Sequence, residues 1–184
     1  ASATFVAAAA QPTSTFTLAN TSFGTNTARK INATTAGTGD NGKTVTIVGT
    51  DHTGAAATEV ITLTGSAETG TATTTAFLTI TSATVSAQPA ANVSLGMTAD
   101  VFGTIFEGRT RVRQVNAESG GAIGSVLFRN GSITGTGLLT VRTGGTAGDI
   151  NTVNIPQDGI LYKDGAFVTF SEVNCNSATV YFDG

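Results

Sequence analysis

The chain has 184 residues and a formal net charge of -3, and charged residues make up only 11% of it. The negative charge gives no uniform basic field, so it disfavours a general polyanion binder, and we expect no nucleic acid among its partners. Cys175 is the only cysteine, which excludes an intrachain disulfide, and no run approaches the roughly 20 apolar residues of a membrane-spanning helix, so we expect no membrane partner.

The high threonine content and the 23 glycines favour strands and turns over helices, because threonine is β-branched and glycine destabilises helix interiors. The first segment in chain order, residues 1–12, is rich in alanine, and its only large apolar side chains are Phe5 and Val6. Isolated, this segment has nothing to pack against. We therefore predict an N-terminal arm that threads onto a partner, with Phe5 and Val6 as candidate interface residues.

Residues 13–96 contain short stretches of β-branched or alternating residues. Val45 and Ile47 share one face of the third stretch, which with the fourth predicts a hairpin closed through residues 51–55. Strands at this spacing fit a small β-sandwich of immunoglobulin-like type. The predicted strands are residues 13–19, 29–34, 43–49, 59–64, 73–80, 84–87 and 93–95.

Residues 97–184 are more charged and more aromatic, and they predict a second antiparallel β domain. Asn130-Gly131 and Asp164-Gly165 stand between apolar runs, where a two-residue turn needs the positive φ that these residue types adopt cheaply. The predicted strands are residues 111–117, 125–129, 138–143, 151–155, 160–162, 166–170 and 178–182. The whole chain is thus predicted to be all-β, with two small antiparallel β-sandwich modules and almost no helix.

The residue types that carry catalysis or bind metals are sparse. His52 is the only histidine, and with Cys175 it gives at most two soft ligands. Although Asp51 precedes it, we expect a solvated turn residue, because a catalytic base needs a positioned partner. Cys175 has no basic neighbour, so we expect it to pack as a small apolar group. We predict no catalytic residue, no metal and no cofactor, and hence no enzyme.

A glycine-rich segment, Gly37-Thr-Gly-Asp-Asn-Gly42, matches the spacing of a dinucleotide-binding loop. The mechanism of such a loop requires a helix N-terminus to receive the pyrophosphate, whereas the following residues 43–47 have the pattern of a strand. We therefore predict a flexible hairpin turn at this segment.

Arg109, Arg111 and Arg113 alternate along the chain, so a strand would project all three from one face. Three like charges need carboxylates, solvent or an acidic partner, and arginine is suited to bidentate pairing across an interface. We predict an arginine stripe at a candidate interface, extended by Arg129 and Arg142 in neighbouring strands. The alternative is an exposed face that is neutralised within the molecule, by Glu107, Glu118 or Asp149.

The C-terminal part carries a resemblance to a known class of protein. Its segments include Ile105-Phe-Glu-Gly-Arg-Thr-Arg-Val-Arg-Gln-Val115, Gly124-Ser-Val-Leu-Phe-Arg-Asn-Gly131, and the run from Ile155-Pro-Gln-Asp-Gly to Val168, with residues 137–140 and 178–182. Together they resemble small β-rich virion proteins of tailed phages, particularly marine and cyanobacterial ones. The first half resembles the immunoglobulin-like modules found on phage capsids and tails.

The resemblance implies a head decoration (cement) protein on the capsid surface, with a tail or connector component as the alternative. It implies a homo-oligomer, a trimer being favoured, that binds the major capsid protein, and it brings no catalytic residues. Two other classes stay open. An adhesin module for host glycans would use exposed aromatics, of which the chain has few, and a polysaccharide hydrolase would need a close pair of carboxylates.

Overall fold

The computed structural model describes residues 2–24, 26–35, 37–64 and 72–184. Within these ranges the chain forms thirteen β-strands and one single-turn 3₁₀ helix, Thr38–Asp40, which confirms the all-β prediction. The chain divides into two compact units, Ala1–Thr98 and Ala99–Gly184, so the second begins two residues after the predicted start. None of the helical structure in the described ranges has the length and hydropathy that crossing a membrane requires.

The first unit is an antiparallel sheet. Its strands are β1 (Ser2–Ala10), β2 (Thr27–Thr35), β3 (Thr44–Asp51), β4 (Ala56–Thr62), β5 (Phe77–Val85) and, as far as Thr98, β6 (Val93–Phe106). Their order in the sheet is β4-β3-β5-β2-β6, and β1 also pairs with β6. The immunoglobulin-like subtype of this unit stays a prediction.

The strand β3 shows how the sequence pattern builds this sheet. Val45 and Ile47 are fully buried, whereas the threonines that alternate with them are only half-buried. β3 pairs with β4, with Val45 opposite Ile61, so the predicted hairpin is confirmed. The core of the unit includes Val6, Phe16, Ile31, Val45, Ile47, Ile61, Leu63, Phe77, Ile80, Val93 and Leu95.

Four of the predicted strands in this half differ from the observed ones. Residues 13–19 form no strand, because only an isolated bridge between Thr15 and Thr84 pairs them, although Phe16 is buried. The predicted strands at residues 73–80 and 84–87 are replaced by one strand, β5, because Ser82 and Ala83 keep pairing with β3 beyond a bulge at Thr81, although they lack large apolar side chains. The predicted strand at residues 93–95 continues as β6 to Phe106.

The N-terminal segment is part of the sheet, so the prediction of an unpacked arm at residues 1–12 is wrong. β1 pairs with residues 93–97 of β6, and Val6 is fully buried in the core. Val6 is therefore not an interface residue. The ring of Phe5 stacks on that of Phe23, with 5.6 Å between ring centroids. The segment has a partner after all, which the sequence concealed because β6 lies some 90 positions further along the chain.

The second unit consists of two antiparallel sheets. Its strands are the rest of β6, β7 (Thr110–Ser119), β8 (Gly124–Asn130), β9 (Gly137–Thr143), β10 (Ile150–Asn154), β11 (Ile160–Tyr162), β12 (Ala166–Ser171) and β13 (Cys175–Asp183). One sheet has the order β6-β12-β8-β9. In the other, β13 pairs with residues 111–119 of β7, so β10 and β11 share the opposite edge of β7.

Both predicted glycine turns exist, but neither is a two-residue hairpin turn. Gly131 and Gly165 have φ of 79° and 107°, as the turn residues predict. However, residues 131–136 join β8 to β9, and β11 and β12 belong to different sheets. The two turns bind each other instead, since the Asn130 side-chain amide donates to the Asp164 carboxylate over 2.6 Å.

Tyr162 is the bulkiest fully buried side chain of the described residues, and its hydroxyl has no hydrogen-bond partner among them. Burial raises the pKa of this hydroxyl above its usual range. An unsatisfied buried polar group costs about 1–3 kcal/mol. We therefore expect Tyr162→Phe to raise the free energy of unfolding by about 1 kcal/mol in urea titrations. Tyr181→Phe, at a half-exposed position, should change it little, and a destabilised Tyr162→Phe would contradict the prediction.

Candidate interaction surface

The strand β7 carries two of the predicted arginines and a β-bulge. Val112 and Val115 are both fully buried although they lie three positions apart. Tyr181 and Phe182, which are neighbours on β13, pair with Gln114 and Val112 of β7. Arg113, which lies between Gln114 and Val112, is therefore the extra residue of the bulge. A bulge turns a side chain in a new direction. The Arg113 side chain is 39% exposed.

The charge of Arg113 is neutralised inside the unit. Its Nε and Nη2 atoms both lie 2.5 Å from Oδ2 of Asp183, at the end of β13. Its Nη1 donates to the carbonyl of Gln157 over 2.9 Å. Arg111 acts beside it, because its Nη1 donates to the carbonyl of Asp158 over 3.2 Å. The two arginines therefore hold the loop between β10 and β11.

The other predicted arginines do not extend this pair. Arg109 lies in the exposed turn before β7 and makes no ion pair with the described residues. The Nη1 atom of Arg129 donates to the carbonyl of Gly135 over 2.9 Å, within the β8–β9 loop. Arg142 is exposed on β9. β7 pairs with β10, β11 and β13 and not with β8 or β9, so the predicted continuous stripe is wrong.

Of the two interpretations of the arginines, neutralisation of their charge within the molecule agrees better with the structure, but a carboxylate other than the expected ones provides it. Asp183 fills the role that the sequence assigned to Glu107, Glu118 or Asp149. Glu118 instead accepts hydrogen bonds from the side chains of Asn176 and Ser177 on β13. Sequence spacing could not reveal Asp183, because the pairing of β13 with β7 joins positions 70 residues apart.

We expect Arg113→Ala to loosen the loop at residues 155–159 with little cost in global stability. The ion pair is partly exposed, so its loss should lower the free energy of unfolding by less than about 1 kcal/mol. Hydrogen exchange of the loop amides should become faster, because the bond to Gln157 is lost. Arg109→Ala is the control, and equal exchange in both variants would contradict the proposed role of Arg113.

The outer edge of β13, the side of the strand away from β7, is an accessible edge of the second unit, and six of the nine residues of the strand are exposed. β7 is the only described partner of β13. Tyr181 and Phe182 are 50% and 39% exposed. Asp183 is the only charged residue of the strand, and it contains no proline or lysine, the residues that usually protect an edge from pairing. Such an edge is able to accept another strand.

Two of the residues considered for chemistry, Asp51 and Cys175, have structural roles. The Asp51 carboxylate accepts hydrogen bonds from the Thr53 amide and hydroxyl and from the Ala55 amide. Burial raises the pKa of Asp51, but these bonds outweigh it, so that the pKa is below its usual value. His52 lies in this same turn, but it is half-buried and its Nε2 atom is inaccessible to solvent, so the prediction of a solvated turn residue is wrong. Cys175 is fully buried in the core of the second unit, which confirms its predicted packing role, and burial raises its pKa.

The glycine-rich loop before β3 is not a flexible hairpin turn. It forms the 3₁₀ helix, and β3 lies beside β5 and not beside β2. The fully buried carboxylate of Asp40 fixes it through four donors. They are the Thr35 hydroxyl at 2.7 Å, the Lys43 ammonium at 2.9 Å, and the amides of Ala90 and Ala91 at 2.6 and 3.1 Å. Burial raises the pKa of Asp40, but these donors lower it well below its usual range.

Comparison with known proteins adds no assignment. No protein-family profile, curated protein or solved structure matches the chain. Among the residues in the described ranges, no three His, Cys, Asp or Glu side chains lie together as they would around a metal ion. The candidate surface is therefore defined by geometry alone: the outer edge of β13, with the half-exposed Tyr181 beside it. The Phe182 ring packs against the Phe106 ring, with 5.6 Å between the ring centroids.

Proposed function

We propose that the chain is a non-enzymatic structural protein of a virion, most similar in role to capsid decoration (cement) proteins. It forms homo-oligomers and binds the major capsid shell from outside. The phage assignment is supported by the resemblance of the segments between Ile105 and Phe182. A tail or connector component is the alternative location, since it would use the same kind of β-scaffold.

The observation that supports an assembly role is the accessible outer edge of β13. An exposed edge strand offers a row of backbone donors and acceptors to another chain. Here that row is combined with the half-exposed aromatic ring of Tyr181. Many equivalent copies on a shell then gain avidity even where each contact is weak.

The adhesin alternative gains no support from the described residues. Sugar-binding sites favour exposed aromatic rings over polar loops, but Tyr162, one of the two tyrosines, is fully buried. Of the two tyrosines only Tyr181 is exposed, and it lies on an edge strand.

The test is cosedimentation of the purified full chain with empty capsids of its source phage, with a count of copies per virion by quantitative mass spectrometry. Saturable binding with copy numbers in proportion to the shell subunits supports the cement role. A few copies per particle would instead place the chain in the tail or connector. A chain that binds no capsids and stays monomeric at all concentrations overturns the proposal.

A further inference from the structure

We propose that β13 is a self-association edge, through which two copies of the chain pair antiparallel about a two-fold axis at Thr179. The inference rests on the proposed assembly function and names one contact within it. It assigns the outer edge of β13 to a second copy of this chain.

No unpaired charge on β13 would repel a second copy at the outer edge. The only charge on β13, that of Asp183, is already paired with Arg113 of the same unit. Two copies that meet along this edge therefore bring no unpaired like charges together. Edge strands that avoid self-pairing usually carry an unpaired lysine or an inward charge, and β13 has neither.

The ladder between β13 and β7 indicates where the symmetry axis lies. The ladder is regular from Ser177 to Tyr181 and shifts register on both sides of that segment. In an antiparallel pair, two opposite residues either both direct their N–H and C=O groups at each other or both direct them away. When a strand pairs with a copy of itself, the two-fold axis therefore passes beside one residue and not between two residues. The middle of the regular segment is Thr179, which places Thr179 opposite Thr179 of the second copy.

This register creates complementary contacts on the outer face of the sheet. Ser177, Thr179 and Tyr181 share that face, because they pair with Glu118, Asn116 and Gln114 of β7. Tyr181 then lies opposite Ser177 of the second copy. The Ser177 hydroxyl donates to the Glu118 carboxylate over 3.0 Å. A tyrosine ring lying across Ser177 brings its hydroxyl within reach of the same carboxylate, to which it donates.

The opposite face of the pair is apolar. Ala178 and Val180 pack against the core of the unit, and the register places them opposite each other across the axis. Threonine beside threonine at the axis is itself a favourable cross-strand pair. A two-fold contact of this kind closes on itself and yields a dimer, whereas a trimer requires a heterologous contact on other surfaces.

The first experiment exchanges charge at the axis. Thr179→Lys places like charges opposite each other and should raise the dissociation constant of the dimer by about tenfold or more. Thr179→Glu should do the same, and an equimolar mixture of the two variants should restore a dimer of twice the 18.4 kDa chain mass, because lysine then faces glutamate. Sedimentation equilibrium up to about 1 mM chain covers even weak contacts.

Thr152→Lys is the matched control. Thr152 and Thr179 pair with the same residue, Asn116, from the two sides of β7, and both are exposed. The control adds the same charge to the same sheet and should leave the dimer intact. In a second measurement, Thr179→Cys should form a covalent dimer under mild oxidation, since facing residues of a strand pair lie within disulfide range, and Thr152→Cys should not.

The outcomes separate this inference from the proposed function. A wild-type monomer or trimer that still decorates capsids overturns the β13 pairing and leaves the cement role standing. A dimer that Thr152→Lys dissociates, or that the mixed variants fail to restore, also overturns it. A Thr179-dependent dimer that binds no capsid supports the pairing and contradicts the cement role.

Discussion

Asp40→Ala is expected to lower the free energy of unfolding by about 3 kcal/mol. The carboxylate is fully buried and accepts hydrogen bonds from two side chains and two backbone amides. Its removal leaves the amides of Ala90 and Ala91 without an acceptor and breaks the bond that holds the 3₁₀ helix to the segment before β6. Asp40→Asn keeps the size but turns an acceptor into a donor, so it should cost about 2 kcal/mol. Urea titrations at pH 7 measure both values.

The same carboxylate predicts a pH dependence. The pKa of Asp40 is lower in the folded chain than the value of about 3.9 in an unfolded one. Its stabilisation is therefore complete above about pH 4 and is lost as the pH falls from there through the folded pKa. The stability gap between the wild type and Asp40→Ala should accordingly narrow in acid. Asp149→Asn, an exposed carboxylate, is the control, and a gap that stays constant from pH 7 to pH 3 would contradict the assignment.

Gly96→Ala should displace β1 from β6 and lower the free energy of unfolding by about 2–3 kcal/mol. A Cβ atom at this position would lie 2.3 Å from the Ser2 carbonyl oxygen and 2.6 Å from the Ala3 Cα atom. Both are backbone atoms, so no side-chain rotation relieves the overlap. With β1 displaced, Val6 loses its place in the core.

Amide hydrogen exchange tells this outcome from general destabilisation. Residues of β1 should exchange much faster in Gly96→Ala, whereas the β3–β4 hairpin should keep most of its protection. Gly145→Ala is the control, because the nearest atom to its new Cβ would be an Ile123 side-chain carbon at 3.4 Å. If exchange became faster to the same extent along the whole first unit, or if exchange in β1 did not change, Gly96 would not be needed for the close approach of β1 to β6.

Local patterns in the sequence predicted most of the strands. Alternation fixed β3 and β4, and turn residues marked the ends of β8 and β11, because these signals depend on neighbours in the chain. β1 was missed because its apolar face is made mostly of alanine and its partner is distant. β5 was split in two because pairing with β3 carries the strand across Thr81-Ser82-Ala83, which have no strong apolar signal.

The candidate surface was less predictable than the fold. Alternation placed Arg111 and Arg113 on a strand, but it could not reveal the bulge at Arg113, because bulges depend on the partner strand. The partner of that arginine, Asp183, is brought to it only by the pairing of β13 with β7. Asp40 lies in the segment that attracted attention for its glycines, and nothing in the sequence indicated that its carboxylate would be buried. The amides of Ala90 and Ala91 that bind this carboxylate are about 50 positions away in the chain.

The pairing of β1 with β6 has a consequence for biosynthesis. Ser2 leaves the ribosome long before Met97, the residue opposite it in the ladder. Until then Val6 has no place in a core, and the nascent first unit exposes an unpaired strand. Contacts between such distant positions slow folding, because a long loop must close before they form. β1, which is synthesised before its partner β6, is thus incorporated late, and crowded nascent chains have an interval in which β1 of one copy is able to pair with β6 of another.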